Sequence, residues 1–184
     1  MSQAVRTIFD KDQLAITIDR LVYELAEVHY PFENTIFIGL QPRGVFLANR
    51  IVKTLKKQFP DLEILYGELD ITFYRDDFNT SSDNLPIAKS TNIPISLSGK
   101  KVVLIDDVLF TGRTIRAGLD ALLAHGRPSE IELLVLIDRR FHREVPIQPD
   151  FVGMTVDAVG AQKVRVQWKN ETQEDEVVLK EHEN

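Results

Sequence analysis

The residues able to do chemistry concentrate in one run, Asp106-Asp107-Val108-Leu109-Phe110-Thr111-Gly112-Arg113-Thr114. Its two halves suit different parts of a ligand. Gly112 permits a backbone conformation in which N–H groups converge, Thr111 and Thr114 add hydroxyl donors, and a helix beginning there contributes roughly +0.5 of a charge. That set suits a phosphate monoester. Asp106 and Asp107 would repel a phosphate, so they should face something neutral or cationic: the vicinal hydroxyls of a ribose, or a magnesium ion held through water. A second stretch, Gln41-Pro42-Arg43-Gly44, joins glycine and guanidinium in a loop and is a weaker potential anion site.

These residues need elements to hold them. The four apolar residues at 102–105 read as a strand buried on both faces, of the kind found at the centre of a parallel sheet. The helix expected over 114–125 places Ile115, Leu119 and Leu122 on one face, with Gly126 as its cap. In open α/β sheets the corner outside such a strand is where ligands bind. Residues 35–40 form a second buried strand, feeding the Gln41 loop and a helix over 45–59 that buries Leu47, Ile51 and Leu55. A third strand, 131–137, closes with Asp138-Arg139-Arg140-Phe141-His142-Arg143-Glu144, which should lie beside the phosphate corner.

Around this frame, Asp10 and Gln13 read as a capping box opening a helix to about Tyr30, with Leu14, Ile18, Leu21, Val22, Leu25 and Val28 on its apolar stripe. Residues 62–73 read as a long strand broken at Gly67. From 78 to 90 the composition is too polar to pack and too long for a turn, which predicts an arm or lid over about 74–92. Strands at 151–156, 163–168 and 176–179 make the ending more β. Alternating strands and helices predict a mainly parallel sheet flanked by helices, in one domain spanning 1–184.

Composition narrows the class. With 22 basic and 28 acidic residues the net charge is −6, so binding a polyanion would require a local basic face. The absence of cysteine excludes disulfides and thiolate metal sites. Without an apolar run near eighteen residues or a basic-then-apolar leader, the expectation is a cytoplasmic protein with no membrane contact.

The 106–114 run is similar to the phosphoribosyl pyrophosphate (PRPP) signature of the type I phosphoribosyltransferases. Together with Gly39-Leu40-Gln41-Pro42-Arg43-Gly44, Asp70-Ile71-Thr72-Phe73-Tyr74-Arg75-Asp76-Asp77 and His142-Arg143-Glu144-Val145-Pro146-Ile147, it resembles the bifunctional pyrimidine operon regulator/uracil phosphoribosyltransferase family across most of the chain. The resemblance implies the type I phosphoribosyltransferase fold, with a flexible loop and a β-rich C-terminal hood, and transfer of ribose 5-phosphate from PRPP to uracil, giving UMP. It implies Val108, Leu109, Phe110, Thr111, Gly112, Arg113 and Thr114 for the 5-phosphate, and Gln41, Pro42, Arg43 and Gly44 for pyrophosphate. Asp106, Asp107 and Arg75 would be catalytic, although Arg75 could instead pair with Asp76 or Asp77. Asp138, Arg139 and Arg140, within a covering segment at 138–168, would read the base.

Mg2+ would come with PRPP, held mainly through PRPP and water, with Asp106 and Asp107 within reach. Family members also bind the leader of pyr messenger RNA to attenuate transcription, on a basic face formed across a dimer. That implies a homodimer or higher oligomer, with Arg20, His142, Arg143, Lys163 and Arg165 as RNA contacts, Arg139 and Arg140 being able to join them. His142 could alternatively act on the base proton, or simply be a surface or interface residue. Three departures stand out: Pro42 replaces a hydroxyl residue, Asp19 and Tyr23 alter the first helix, and Arg140-Phe141 replace a glycine. Enzyme-only, RNA-only and purine-base versions of the same scaffold stay open.

Overall fold

The central strand is β4, Lys101–Leu109, and a computed structural model, describing residues 5–76, 88, 90–157, 162–169 and 174–180, shows what surrounds it. It is longer than its apolar run suggests, because the ladder continues through the acid pair: Asp106 pairs with Val135 and Leu109 with Asp138. The sheet order is β3 (Leu65–Leu69), β2 (Thr35–Leu40), β4, β5 (Glu130–Arg139) and β6 (Phe151–Val156), all parallel. On one face lie α1 (Lys11–His29) and α2 (Gly44–Gln58), burying Leu14, Leu21, Leu25, Leu47, Ile51 and Leu55 against Phe37, Val103 and Ile105. On the other, α3 (Arg113–Ala124) buries Ile115, Ala121 and Leu122 against Ile38, Leu104 and Val135. A sheet covered on both faces explains the unbroken apolar runs of its central strands.

Asp10 accepts from the Gln13 amide at 2.9 Å, and the Gln13 side chain accepts from the Asp10 amide at 3.1 Å, so α1 opens on the capping box its sequence announces. Val28, assigned to the apolar stripe, is 54% exposed, and His29 is buried instead.

Three further sequence expectations change. The strand expected over 62–73 is shorter and passes through Gly67 unbroken; after Leu69, Asp70 Oδ1 accepts from the Thr72 amide (2.9 Å) and hydroxyl (2.6 Å), turning the chain into a 3-10 helix at Thr72–Tyr74. Residues 151–156 join the parallel sheet as its edge rather than the β-rich ending. The hood, an antiparallel sheet of order β1-β8-β7, takes one strand from the other terminus: β1 (Val5–Phe9), which the sequence reading missed, pairs with β8 (Glu176–Lys180), and β8 with β7 (Lys163–Gln167). Trp168 anchors this sheet in the core, and Arg50 of α2 both covers its ring at 4.4 Å and forms an ion pair with Asp175. Most of the arm expected over 74–92 lies outside the described residues, as do residues 158–161 of the covering segment.

Candidate active site

Strand register assembles the site. Gly39 pairs with Ile105, so the loop at 41–44 leaves the sheet alongside Asp106 and Asp107, and the Leu109–Asp138 pair sets the end of β5 beside the loop at 110–112. Gly44 makes the first approach possible, since a Cβ there would stand 2.3 Å from the Ile105 carbonyl oxygen. Gly112 does the same on the other side. It has φ +90°, caps α3, and lies so close to the covering segment that a Cβ would meet the Val145 carbonyl at 3.1 Å.

Asp106 and Asp107 are both buried, at 6% and 5% exposure. Burial pushes the Asp106 carboxyl well above its usual range, and the neighbouring Asp107 charge adds to the rise. Asp107 is also raised by burial, but Arg43 opposes this through a 2.9 Å contact from its Nε to Oδ2. Asp106 accepts the Asp107 amide at 2.9 Å instead. The pair is therefore asymmetric, with one carboxylate ion-paired and the other held mainly by backbone.

The Arg43 guanidinium, read from sequence as a pyrophosphate contact, bridges Asp107 and the Val166 carbonyl of the hood. Gln41 is buried and donates to Glu68 (3.1 Å) and to the Ser90 carbonyl (3.2 Å), and the Gln41-Pro42 peptide is cis. Thr111 and Thr114 are half-buried at the start of α3, where the first-turn amides have no carbonyl four residues back. The Arg113 side chain, read from sequence with the 5-phosphate set, is taken up by ion pairs with Asp76 and Glu144.

At the end of β5, Arg143 donates to Asp138 and to the Phe110 carbonyl. The Glu144 and Val145 amides both donate to the Thr111 carbonyl, at 2.9 and 3.0 Å, so the segment after β5 is tied to the loop before α3. Arg139 is 6% exposed with its guanidinium 3.9 Å over the Phe110 ring, and burial lowers its affinity for the proton. Phe110 also meets His142, with ring centroids 5.7 Å apart. Arg140 turns outward to Asp157 at 2.8 and 2.9 Å. A pocket of about 490 Å³ opens along this segment between Asp138, Arg143, Ile147 and Val152.

The residues read as RNA contacts do not share one environment. Arg20 donates to the Val152 and Gly153 carbonyls at 3.0 and 2.6 Å and pairs with Glu24. Lys163 and Arg165 are exposed and, two apart on β7, share a strand face. Sequence reasoning gave no role to Glu144 and considered Asp76 only as a partner for Arg75. The signal available was their position beside motif residues, without any indication of what they would meet.

A strand-end acid pair beside a helix-start anion loop, on this sheet order, is the architecture of a phosphoribosyltransferase, and the phosphoribosyl transferase domain model matches residues 4–169. The solved structures it resembles include a hypoxanthine-guanine phosphoribosyltransferase of Bacillus anthracis (TM-score 0.65, 14% identity, covering 85% of this chain and 86% of that one). A hypoxanthine phosphoribosyltransferase of Staphylococcus aureus aligns with TM-score 0.64 at 16% identity, over 82% and 77% of the two chains. At those identities the likeness establishes the fold. Sequence relatives are nearer: the bifunctional protein PyrR of Elusimicrobium minutum is 43% identical over 175 residues, 95% of this chain and 96% of that protein, and that of Bacillus subtilis is 41% identical over 178 residues, 96% and 97%. The chain belongs to the bifunctional PyrR family of phosphoribosyltransferases. No helix among the described residues is long and apolar enough to cross a membrane.

Proposed function

We propose that the protein transfers the ribose 5-phosphate unit of PRPP to N1 of uracil, releasing pyrophosphate and giving UMP. The observation that carries this reading is the acid pair at the exit of the central strand, one step before a glycine-capped helix start. The amides and hydroxyls of Thr111 to Thr114 hold the 5-phosphate. Asp106 and Asp107 take the ribose hydroxyls and stabilise the positive charge that develops at the anomeric carbon. Backbone amides of the Gln41–Gly44 loop and the Arg75 guanidinium face pyrophosphate, and the chain around Asp138, Arg139 and Arg140 reads the acceptor–donor–acceptor edge of uracil.

Among the described residues no cluster of three or more acidic, histidine or cysteine ligands could grip a metal by itself. Two adjacent carboxylates fit an ion brought by the donor, and Asp106 and Asp107 would hold Mg2+ together with PRPP oxygens and water. The chemistry such an ion would supply is charge neutralisation that makes pyrophosphate a better leaving group.

Incubation of the protein with PRPP, Mg2+ and either uracil, hypoxanthine or guanine tests the reading. UMP from uracil alone is the expected result; IMP or GMP instead would refute the assigned acceptor.

A second activity, binding of pyr leader RNA by a homodimer or higher oligomer, rests on the family and on the exposed Lys163–Arg165 face of β7. A gel shift with the leader RNA at increasing salt tests it. Retardation that weakens steeply with salt supports the activity, and none at low salt, with or without UMP, leaves an enzyme without RNA binding.

A further inference from the structure

Asp76 stands where the 3-10 turn after β3 meets the start of α3. Its Oδ2 atom takes Arg113 at 2.9 Å and Arg116 at 2.8 Å, from two residues three apart on one face of the first turns of α3. Cations at a helix start are opposed by the helix dipole and by each other, so a carboxylate between them is favoured. Arg113 carries the network on to Glu144 of the covering segment, and Arg116 to Asp120 at 3.1 Å. Single exposed ion pairs hold little, but one oxygen shared by two guanidinium groups within a network holds more.

We propose that Asp76 is a positioning residue for Arg75: docked on Arg113 and Arg116, it fixes the backbone that carries Arg75, the guanidinium assigned above to pyrophosphate. The stretch between the two anchors is short. Asp70 pins its beginning through Thr72, the Tyr74 amide donates to the Ile71 carbonyl at 2.9 Å, and Arg75 follows in extended conformation (φ −77°, ψ 141°). Asp70 and Asp76 thus clamp the chain on either side of the turn and of Arg75. Asp76 is exposed and belongs to neither apolar cluster, so its contacts serve placement rather than the core. Through Glu144 the same helix end also holds the segment over the base, so the two sides of the site are referred to one rigid element.

The inference rests on the proposed transfer reaction, and a double-mutant cycle separates the two. Asp76→Asn, Arg75→Gln and the double variant are compared for kcat and KM with PRPP and uracil, alongside their melting temperatures. Asp76→Asn is expected to lower kcat/KM for PRPP about tenfold, with the uracil KM moving less than about twofold and the melting temperature within about 2 °C of the parent. Asp76→Glu restores part of the loss. In the Arg75→Gln background Asp76→Asn should change kcat/KM by less than about twofold. Equal losses in both backgrounds, or an Asp76→Asn enzyme that matches the parent, would overturn the positioning role alone. A parent protein that forms no UMP overturns the transfer reading together with this one.

Discussion

Replacing Asp106 by Asn should make the protein more stable while removing most of its activity. Asp106 is 6% exposed, its carboxyl is pushed well above the usual range by burial and by Asp107, and the Arg43 guanidinium is bonded to Asp107. The amide has the same shape, can still accept the Asp107 N–H at its oxygen, and carries no charge to desolvate. Relief of one poorly compensated buried charge is worth about 1–2 kcal/mol, in keeping with active-site residues held at a cost to stability. For a chain of this size that raises the melting temperature by about 2–8 °C.

The pH dependence gives the sign independently. A carboxyl whose folded pKa lies above its unfolded one, about 3.9, contributes stability that is present below the unfolded pKa and lost as pH rises through the folded one. The advantage of Asp106→Asn is therefore largest at neutral pH and above and fades toward about pH 4. Asp107→Asn differs because Arg43 loses a charge-assisted bond worth about 1.5–3 kcal/mol, which cancels the relief, so this variant gains nothing. Both variants should lose about a hundredfold in kcat, with a smaller change in PRPP binding. Differential scanning fluorimetry across pH, paired with the UMP assay, measures all of this. An Asp106→Asn protein that melts below the parent at neutral pH, or whose difference is flat with pH, would refute the reasoning.

Two further outcomes follow from single sites. Gly44→Ala puts a Cβ 2.3 Å from the Ile105 carbonyl oxygen and 3.0 Å from the Asp106 Cα, so the loop must shift; a loss of about 2–3 kcal/mol by urea titration and a weakened PRPP interaction are expected. His29 is buried with Nδ1 3.2 Å from the Thr35 hydroxyl and Nε2 2.9 Å from Glu132 Oε2, off the line a hydrogen bond needs, and burial with the Lys101 charge lowers its pKa. Its contribution to stability is present above the unfolded value near 6.5 and lost as pH falls through the folded one, so His29→Gln should flatten the decline in melting temperature as pH falls below that unfolded value. Glu132, raised by burial and by Glu130 and Asp150, acts in the opposite sense.

Chain order and local chemistry were legible in the sequence. Apolar runs located the buried strands, Asp10 and Gln13 the start of α1, and the Thr111-Gly112 turn the start of α3, because each depends on residues within about four positions of one another. The extent of β3 was not, since a side-chain turn at Asp70 ended it before its apolar pattern did. Nor was β1, whose partner β8 lies at the other end of the chain.

Tertiary structure alone decided what the long charged side chains touch. Arg43 reaches Asp107 across 64 positions and Val166 across 123, and Arg20 reaches Gly153 across 133. Guanidinium groups carry several donors on flexible stems, so residue type says that they will pair without saying with which partner. Only the packed sheet, which brings the ends of β2, β4 and β5 to one corner and lays the hood over it, settles that choice.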